Sequence, residues 1–492
     1  MDTRVPENGM DDMRDERVRK LVALRAAGIE PYPITTERTH EIAQVRETFD
    51  ELERTGAMCT IVGRITAIRE HGGSVFIDLF DGSGSFQGFL KRDVLSEGAF
   101  AQFSSFIDRG DFIAVTGTPF RTKRGELSLI VHTWRLLAKG LRPIPTEHFG
   151  IRDEDERYRK RYLDILLDHE LAARIRRRSI FWNAIRTFLI DRGFVEVETP
   201  VLETTPGGAE ARPFVTHHNA LDIDVHLRIS AGELWQKKLM VAGIPRTFEI
   251  GRIFRNEGMS FEHLQDYTQL ELYEAYSDLE KGKVLIQDLY RTIARETFQS
   301  TSFSVRGIQF DLNAAWDTYD FAQIMRDAYG FDPRSCTPAE VTAALAAAGH
   351  PTNVGKERGV DLLWKKCRTA LAGPGFLVNV PVYLEPLAKR SAHDPRVVDR
   401  FQVVLAGSEV GKGFSELNDP IDQAERFARQ QELREQGDEE AQFADTEYVE
   451  ALEYGMPPTF GFGMSERLFS FLEGVSIREA QIFPLMRPRH SA

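Results

Sequence analysis

Two strand-like segments between residues 247 and 276 flank a polar loop, FRNEGMSFEHLQDY, and this hairpin constrains the chain most. Successive side chains of a strand point to opposite faces. On that alternation Glu249, Gly251, Ile253 and Arg255 share one face of the first strand. Tyr267, Gln269, Glu271 and Tyr273 share one face of the second. An arginine, a carboxylate and aromatic rings therefore meet on one floor. Inside a large domain such a floor is costly unless a ligand pairs with its charges. The alternative is a solvated outer face.

The rest of the chain supplies the domain around it. At 492 residues there is room for two or three domains. The composition, 42% hydrophobic and 28% charged, is that of a globular protein. A net charge of −13 gives no bulk sign of nucleic-acid binding, which depends instead on local basic surface. No apolar run reaches membrane-spanning length, so no membrane partner is expected. The opening MDTRVPENGMDDMRDERVRK has no apolar signal core. Cys59, Cys336 and Cys367 are scattered and match neither a zinc site nor a disulfide framework. A reducing cytoplasm is the expected home.

Periodicity divides the chain into an N-terminal helical arm (1–55), a small all-β barrel (56–140), a linker (141–155) and a large mixed domain (156–492). In the arm, Val18, Leu21, Val22 and Leu24 recur near a helical period over 14–27, and the polarity of residues 1–13 argues against order there. TIVGRITAI, GSVFIDLFD, GSFQGFLK, DFIAVTGTPF and ELSLIVHTWRLL are five short strands with glycine punctuation, the pattern of a closed barrel. In the large domain, Phe181, Ile185, Phe188 and Leu189 mark a helix over 170–191. RGFVEVETPVLETT turns to period two, and residues 281–375 read as an insertion. The fold class is α+β.

Two further segments carry chemistry. In EVGKGFSELND, Lys412, Phe414 and Glu416 alternate onto one face, and Glu409 precedes glycines that permit close backbone approach. In GFGMSERL, Gly461 and Gly463 lead towards a helix that carries Arg467 early, an arrangement suited to phosphate, or else an ordinary turn.

Together these segments resemble the three motifs of class II aminoacyl-tRNA synthetases. FLIDRGFVEVETP resembles motif 1, FEIGRIFRNEGMSFEHLQDYTQLELY motif 2 and GFGMSERL motif 3. GGAEARPFVTHHNALDIDVHLRIS, LRAAGIEPYP, ERYRKRYLD and GFSELNDPIDQAERF are similar to the lysyl-tRNA synthetases in particular, and the likeness spans roughly residues 20 to 489. The resemblance implies an antiparallel-sheet catalytic domain behind an oligonucleotide-binding (OB) barrel. It also implies a homodimer formed through motif 1, and a ligase that uses ATP, L-lysine and tRNA(Lys).

The resemblance also assigns roles. Arg255 would bridge the α-phosphate and the lysine carboxylate. Glu257 and His263 would touch adenine or phosphate. Tyr267 would stack on adenine, with Arg467 on the other side reaching the γ-phosphate; Arg255 and Arg467 are the catalytic pair. Gly208 and Glu233 would hold the α-ammonium. Glu416 and Tyr273 would hold the ε-ammonium, with Glu271 beside them and Phe414 along the stem. A carboxylate with a phenol suits a compact cation. Glu409 and Glu416 would bind Mg²⁺.

The sequence departs from the family pattern at two of these positions. Gln402 stands where a metal-binding glutamate is expected, and Lys412 where asparagine is. Fewer bound Mg²⁺ ions than usual are therefore expected. Lys412 would replace the lost charge, bind the substrate carboxylate, or pair with Glu416.

In the barrel, Phe76 matches the aromatic residue that stacks on an anticodon base, and Arg69, Gln87 and Glu126 match base-edge contacts. On alternation alone Phe76 reads as a core residue. Arg174, Arg176, Arg177 and Arg178 form a basic cluster, read as a phosphate contact, a dimer patch or a solvated helix face.

Three rivals remain. One is an aspartyl- or asparaginyl-type synthetase, against which GFSELND and HHNALDIDVHLRIS weigh. Another is an enzyme that lysylates a translation factor, whose kind lacks the barrel. The third is a non-catalytic paralogue. Arg255 and Arg467 argue against it, and Gln402 keeps it open.

Overall fold

The computed structural model describes residues 7–145, 151, 153–437 and 441–489, and the chain divides into two compact units at Arg157/Tyr158. Part of the expected linker, 146–150 and 152, lies outside the described residues, as do the first six residues of the arm.

In the first unit β1 (Cys59–His71), β2 (Ser74–Phe80), β3 (Ser85–Lys91), β4 (Phe112–Arg121) and β5 (Leu127–Ala138) close into a barrel in the order β1-β2-β3-β5-β4. Closure leaves no strand edge unpaired. Alternation fills the inside: Val75, Ile77 and Leu79 of β2 are buried, and so are Phe86 and Leu90 of β3. The helices Glu7–Ala26, Ile42–Glu47 and Phe49–Thr55 are less an arm than a cover. Their Leu24, Ile42, Val45 and Phe49 belong to the barrel's apolar core. The first of these helices starts at Glu7, within the segment whose polarity argues against order, and residues 1–6 of that segment lie outside the described residues. A helix at Glu97–Phe106, capped by Ser96, joins β3 to β4.

The second unit holds β6 (Val195–Glu196), β7 (Leu202–Glu203), β8 (Val215–His218), β9 (Ile223–Leu227), β10 (Arg246–Phe254) and β11 (Asp266–Ala275). It continues through β12 (Ser302–Val305), β13 (Ile308–Asp311), β14 (Asp317–Asp320), β15 (Gly375–Val378), β16 (Arg400–Leu405), β17 (Ser408–Ser415) and β18 (Thr459–Ser465). Eight of these make one sheet in the order β14-β15-β16-β17-β18-β11-β10-β6. Its centre is antiparallel, and its two outermost pairings are parallel. With the barrel before it, this is the expected α+β architecture.

Two helices press on one face of the sheet. His169–Ile190 brings Phe181, Ile185, Phe188 and Leu189, and Leu279–Phe298 brings Ile286, Leu289, Tyr290 and Ile293. Each such side chain contributes roughly 1.5–3 kcal/mol on burial. The second helix, from its third residue on, lies within the span expected as an insertion, as does β14, and β15 begins at the last residue of that span. Residues 281–375 are therefore built into the core throughout: in the middle, Phe321, Met325, Leu345, Val360 and Trp364 share a buried apolar cluster with Leu234, Tyr273 and Phe414. Three of the four arginines of the basic cluster on the first helix form ion pairs within this unit. Arg174 pairs with Glu473 (3.2 Å) and Glu479 (3.1 Å), Arg177 with Glu473 (2.6 Å), and Arg178 with Glu466.

Candidate active site

The opposite face of the central strands is the floor of a cavity of about 540 Å³. It is lined by every residue of this unit assigned above to ATP or lysine, from Gly208 to Arg467. The β10–β11 hairpin pairs Glu249 with Glu271 and Ile253 with Tyr267, so both strands present the expected faces. Glu249, however, does not reach the cavity floor. It is buried and takes Arg228 at 2.5 Å and the Thr199 hydroxyl at 2.6 Å. The carboxylate that the hairpin presents to the cavity is Glu271, which accepts from Gln269 and Tyr273.

Arg255 follows β10 directly. Its Nε donates to the Ile229 carbonyl at 3.2 Å, which aims the guanidinium along the cavity wall, 5.8 Å from the Tyr267 ring. Glu257 and His263 sit in the exposed hairpin loop, where His263 Nδ1 lies 2.8 Å from Ser260 Oγ. Arg467 begins the helix Arg467–Glu473 and pairs with Glu262 of the same loop, which also holds Arg306. The two assigned arginines thus approach the cavity from different segments.

On β17 simple alternation would place Glu409 and Lys412 on opposite faces. A bulge in the β16–β17 ladder, between Gln402/Lys412 and Val404/Glu409, shifts the phase by one residue. Both side chains then line the cavity. Gly461 and Gly463 lie inside β18 and not in a turn before a helix. A Cβ on Gly461 would collide with Glu416 Oε1 and come within 2.7 Å of Tyr273, and one on Gly463 would collide with Glu271. These glycines leave room for carboxylates rather than for phosphate. Gly208 has φ +83° and its missing Cβ would be 2.7 Å from that of Glu233, so only glycine fits.

The deep end of the cavity is acidic. Glu233, Glu271 and Glu416 are all buried, as is Tyr273, whose hydroxyl donates to Glu271 at 3.1 Å. Burial, reinforced by Glu233 nearby, pushes the Glu271 carboxyl up to about 8. Burial also raises Glu416, against the pull of Lys237. Lys237 carries no motif signal beyond standing one helical turn after Glu233. It is fully buried, 2.8 Å from Glu233 and 2.6 Å from Glu416.

The metal expectation fares differently. Glu409 and Glu416 are seven residues apart along an extended segment, a span of about 23 Å. They cannot share an ion, and Glu416 is occupied by Lys237. Gln402 faces Lys412 in register and accepts a hydrogen bond from Arg400. Arg400 and Lys412 both hold the buried Glu385, Lys412 at 3.2 Å. Burial alone would raise the Glu385 carboxyl, but these two cations hold it below the usual range. Two cations beside an engaged amide do not fit Mg²⁺, which prefers anionic oxygens. Glu409, beside them in the cavity wall, is anchored by the Trp364 indole N–H at 2.7 Å. Among the described residues no three His, Cys, Asp or Glu side chains are placed to hold a metal.

In the barrel, Phe76 faces outward because Val75 and Ile77 take the interior. It stacks on Phe89 at 4.4 Å, beside Arg69, its partner in the β1–β2 register. Arg69 grips Asp78 through two hydrogen bonds of 2.7 and 2.8 Å. Gln87 accepts from Ser128 at 2.8 Å, and Glu126 is exposed on the same side of the barrel as Arg69. The four form an outer face of rings and hydrogen-bonding groups.

Comparison with known proteins agrees with this geometry. Residues 153–487 match the family model described as tRNA synthetases class II (D, K and N), and residues 59–137 match the OB-fold nucleic acid binding domain. The lysine–tRNA ligase of Moorella thermoacetica is 42% identical over 97% of this chain and 98% of its own. That of Roseiflexus castenholzii is 41% identical over 98% and 99%, and that of Thermotoga maritima 38% over 98% and 97%. The chain belongs to the lysine–tRNA ligase family of class II tRNA synthetases.

Proposed function

We propose that this protein activates L-lysine with ATP and transfers the lysyl group to tRNA(Lys), acting as a homodimer in the cytoplasm. The observation that carries the reading is the acidic, buried end of the cavity, with Glu271, Glu416 and Tyr273 on one side and Arg255 at the mouth. Lys237 is the one ammonium that Glu233 and Glu416 share, and Glu271 has only Gln269 and Tyr273 beside it, so an uncharged side chain brings no cation to offset the acidic end and the pocket rejects it. Glu233 and Gly208 take the α-ammonium, Glu416, Glu271 and Tyr273 the ε-ammonium, and Phe414 the methylene stem. The lysine carboxylate lies against Arg255.

ATP enters with its own Mg²⁺ as substrate and meets Tyr267, Glu257, His263 and Glu409, with Arg467 at the outer phosphates. A carboxylate oxygen of lysine attacks the α-phosphorus in line, and the bond to pyrophosphate breaks. Arg255 stabilises the charge that gathers on the α-phosphoryl oxygens. The terminal ribose hydroxyl of the tRNA then attacks the carbonyl carbon of the lysyl-adenylate and AMP leaves. Positioning and charge neutralisation do most of this work. Arg69, Phe76, Gln87 and Glu126 receive the anticodon bases. Three unpaired cysteines support a reducing compartment. No described helix is long and apolar enough to cross a membrane.

Charging of total tRNA with labelled amino acids tests the reading. Lysine is expected to be attached and aspartate and asparagine refused; attachment of either of the latter in place of lysine overturns it.

A further inference from the structure

We propose that Lys237 is a positioning residue: it ties together the two carboxylates that grip opposite ends of the substrate, and so sets the length of amino acid the pocket accepts. The inference rests on the assignment of Glu233 to the α-ammonium and Glu416 to the ε-ammonium.

Lys237 lies on the helix Glu233–Val241, one turn after Glu233 and on the same face. Its side chain has no exposure, and its ammonium touches Glu233 at 2.8 Å and Glu416 at 2.6 Å. Those carboxylates come from separate parts of the chain, the start of that helix and the residue just after β17. The same ammonium lies 5.4 Å from the Phe414 ring, 5.8 Å from Tyr273 and 6.0 Å from Tyr448. Aromatic faces hold a desolvated cation in place without neutralising it.

Stability does not account for this arrangement. Desolvating an ammonium costs several kcal/mol, and an apolar side chain packed in the same place is often at least as stable. What an apolar residue could not do is fix Glu416. The Lys237 ammonium, 2.6 Å from Oε2, is the anchor of the Glu416 carboxylate, and Oε1 has no hydrogen-bond donor among the described residues. With Lys237 on Oε2, Oε1 projects over Gly461 into the cavity.

Charge matching points the same way. Glu233, Glu271 and Glu416 bring three negative charges when ionised, and Lys237 cancels one. The remaining two match the two ammonium groups of free lysine, while its carboxylate goes to Arg255. The distance between the two anchored carboxylates becomes the ruler for the four-methylene stem. A side chain one methylene shorter, as in ornithine, reaches only one of them.

Lysine-dependent and ornithine-dependent ATP–pyrophosphate exchange in the full-length enzyme tests this with Lys237→Met and Lys237→Arg. For Lys237→Met the KM for lysine is expected to rise at least about tenfold, with the KM for ATP within about twofold of wild type. The preference for lysine over ornithine in kcat/KM is expected to fall by at least about tenfold. Equal losses for lysine and ATP, or an unchanged preference, overturn the proposal. If Lys237→Met fails to bind MgATP, and so is not folded, Lys237→Arg carries the test. It keeps the charge but moves both carboxylates, so the preference is expected to shift, and an unchanged preference overturns the ruler. Wild-type enzyme that shows no exchange with lysine overturns the functional reading itself, and the proposal with it.

Discussion

Gly461 of β18 lies directly under Glu416: any side chain there would collide with Glu416 Oε1 and crowd the Tyr273 ring. The glycine is therefore part of the lysine pocket although it offers no group to the ligand. Gly461→Ala is expected to raise the KM for lysine at least about tenfold, equivalent to about 1.4 kcal/mol, with MgATP binding intact. Overpacking typically costs about 1–3 kcal/mol, so the variant's melting temperature belongs beside the kinetics. An unchanged KM would remove Glu416 from the pocket.

Arg255 carries the transition-state charge. Arg255→Ala is expected to lower lysine-dependent exchange by about 10²–10³-fold, the usual loss for a preorganised donor to a developing charge. Arg255→Lys restores only part, because a point charge cannot fork onto carboxylate and phosphate together. Steady-state exchange kinetics decide it. A loss confined to KM for ATP would make Arg255 a binding residue alone.

Protonation is linked to lysine binding. Burial raises the Glu271 and Glu416 carboxyls together, which favours a proton at the acidic end of the free enzyme. An arriving ε-ammonium favours the carboxylate, so a proton must leave. Lysine affinity is expected to rise with pH up to about 8, with up to about one proton released near pH 7. Calorimetry in buffers of different ionisation enthalpy reads the release directly. Buffer-independent heats would mean that the acidic end is already ionised.

Much of this site was legible as sequence, and the limits have physical causes. The five barrel strands and both faces of the β10–β11 hairpin follow from period-two alternation, which depends only on local geometry. The bulge in β16–β17 does not. It flips Glu409 onto the face of Lys412, and nothing local to β17 announces it. Lys237 reads as a solvated helix lysine until Glu416 arrives from far along the chain. The role of Gly461 is equally non-local, since the group it makes room for is on a neighbouring strand. The helix Leu279–Phe298 looked peripheral because its apolar spacing says that it packs but not against what. Glu385 and Arg400, which decide the metal question, are 15 residues apart and belong to no motif.

The metal count follows from that pair. A crystal structure of the protein with MgATP is expected to show no ion on Gln402, whose amide oxygen is taken by Arg400. A full set of ions with one coordinated by Gln402 would contradict this.

Phe76 separates the two halves of the reaction. Stacking on a base is worth about 1–3 kcal/mol, so Phe76→Ala is expected to raise the KM for tRNA by roughly 5–100-fold. Lysine-dependent ATP–pyrophosphate exchange, which needs no tRNA, stays at the wild-type rate. Equal losses in both assays would place Phe76 in the barrel's fold and not on its binding face.

The most direct test of the whole account is ATP–pyrophosphate exchange with the wild-type protein across lysine, aspartate and asparagine, with magnesium present. Exchange with lysine alone is the predicted result, and it would show that Gln402 and Lys412 are compatible with catalysis. Exchange with aspartate or asparagine would contradict the pocket assignment. Folded protein that exchanges with none of them would contradict the claim that this cavity performs chemistry.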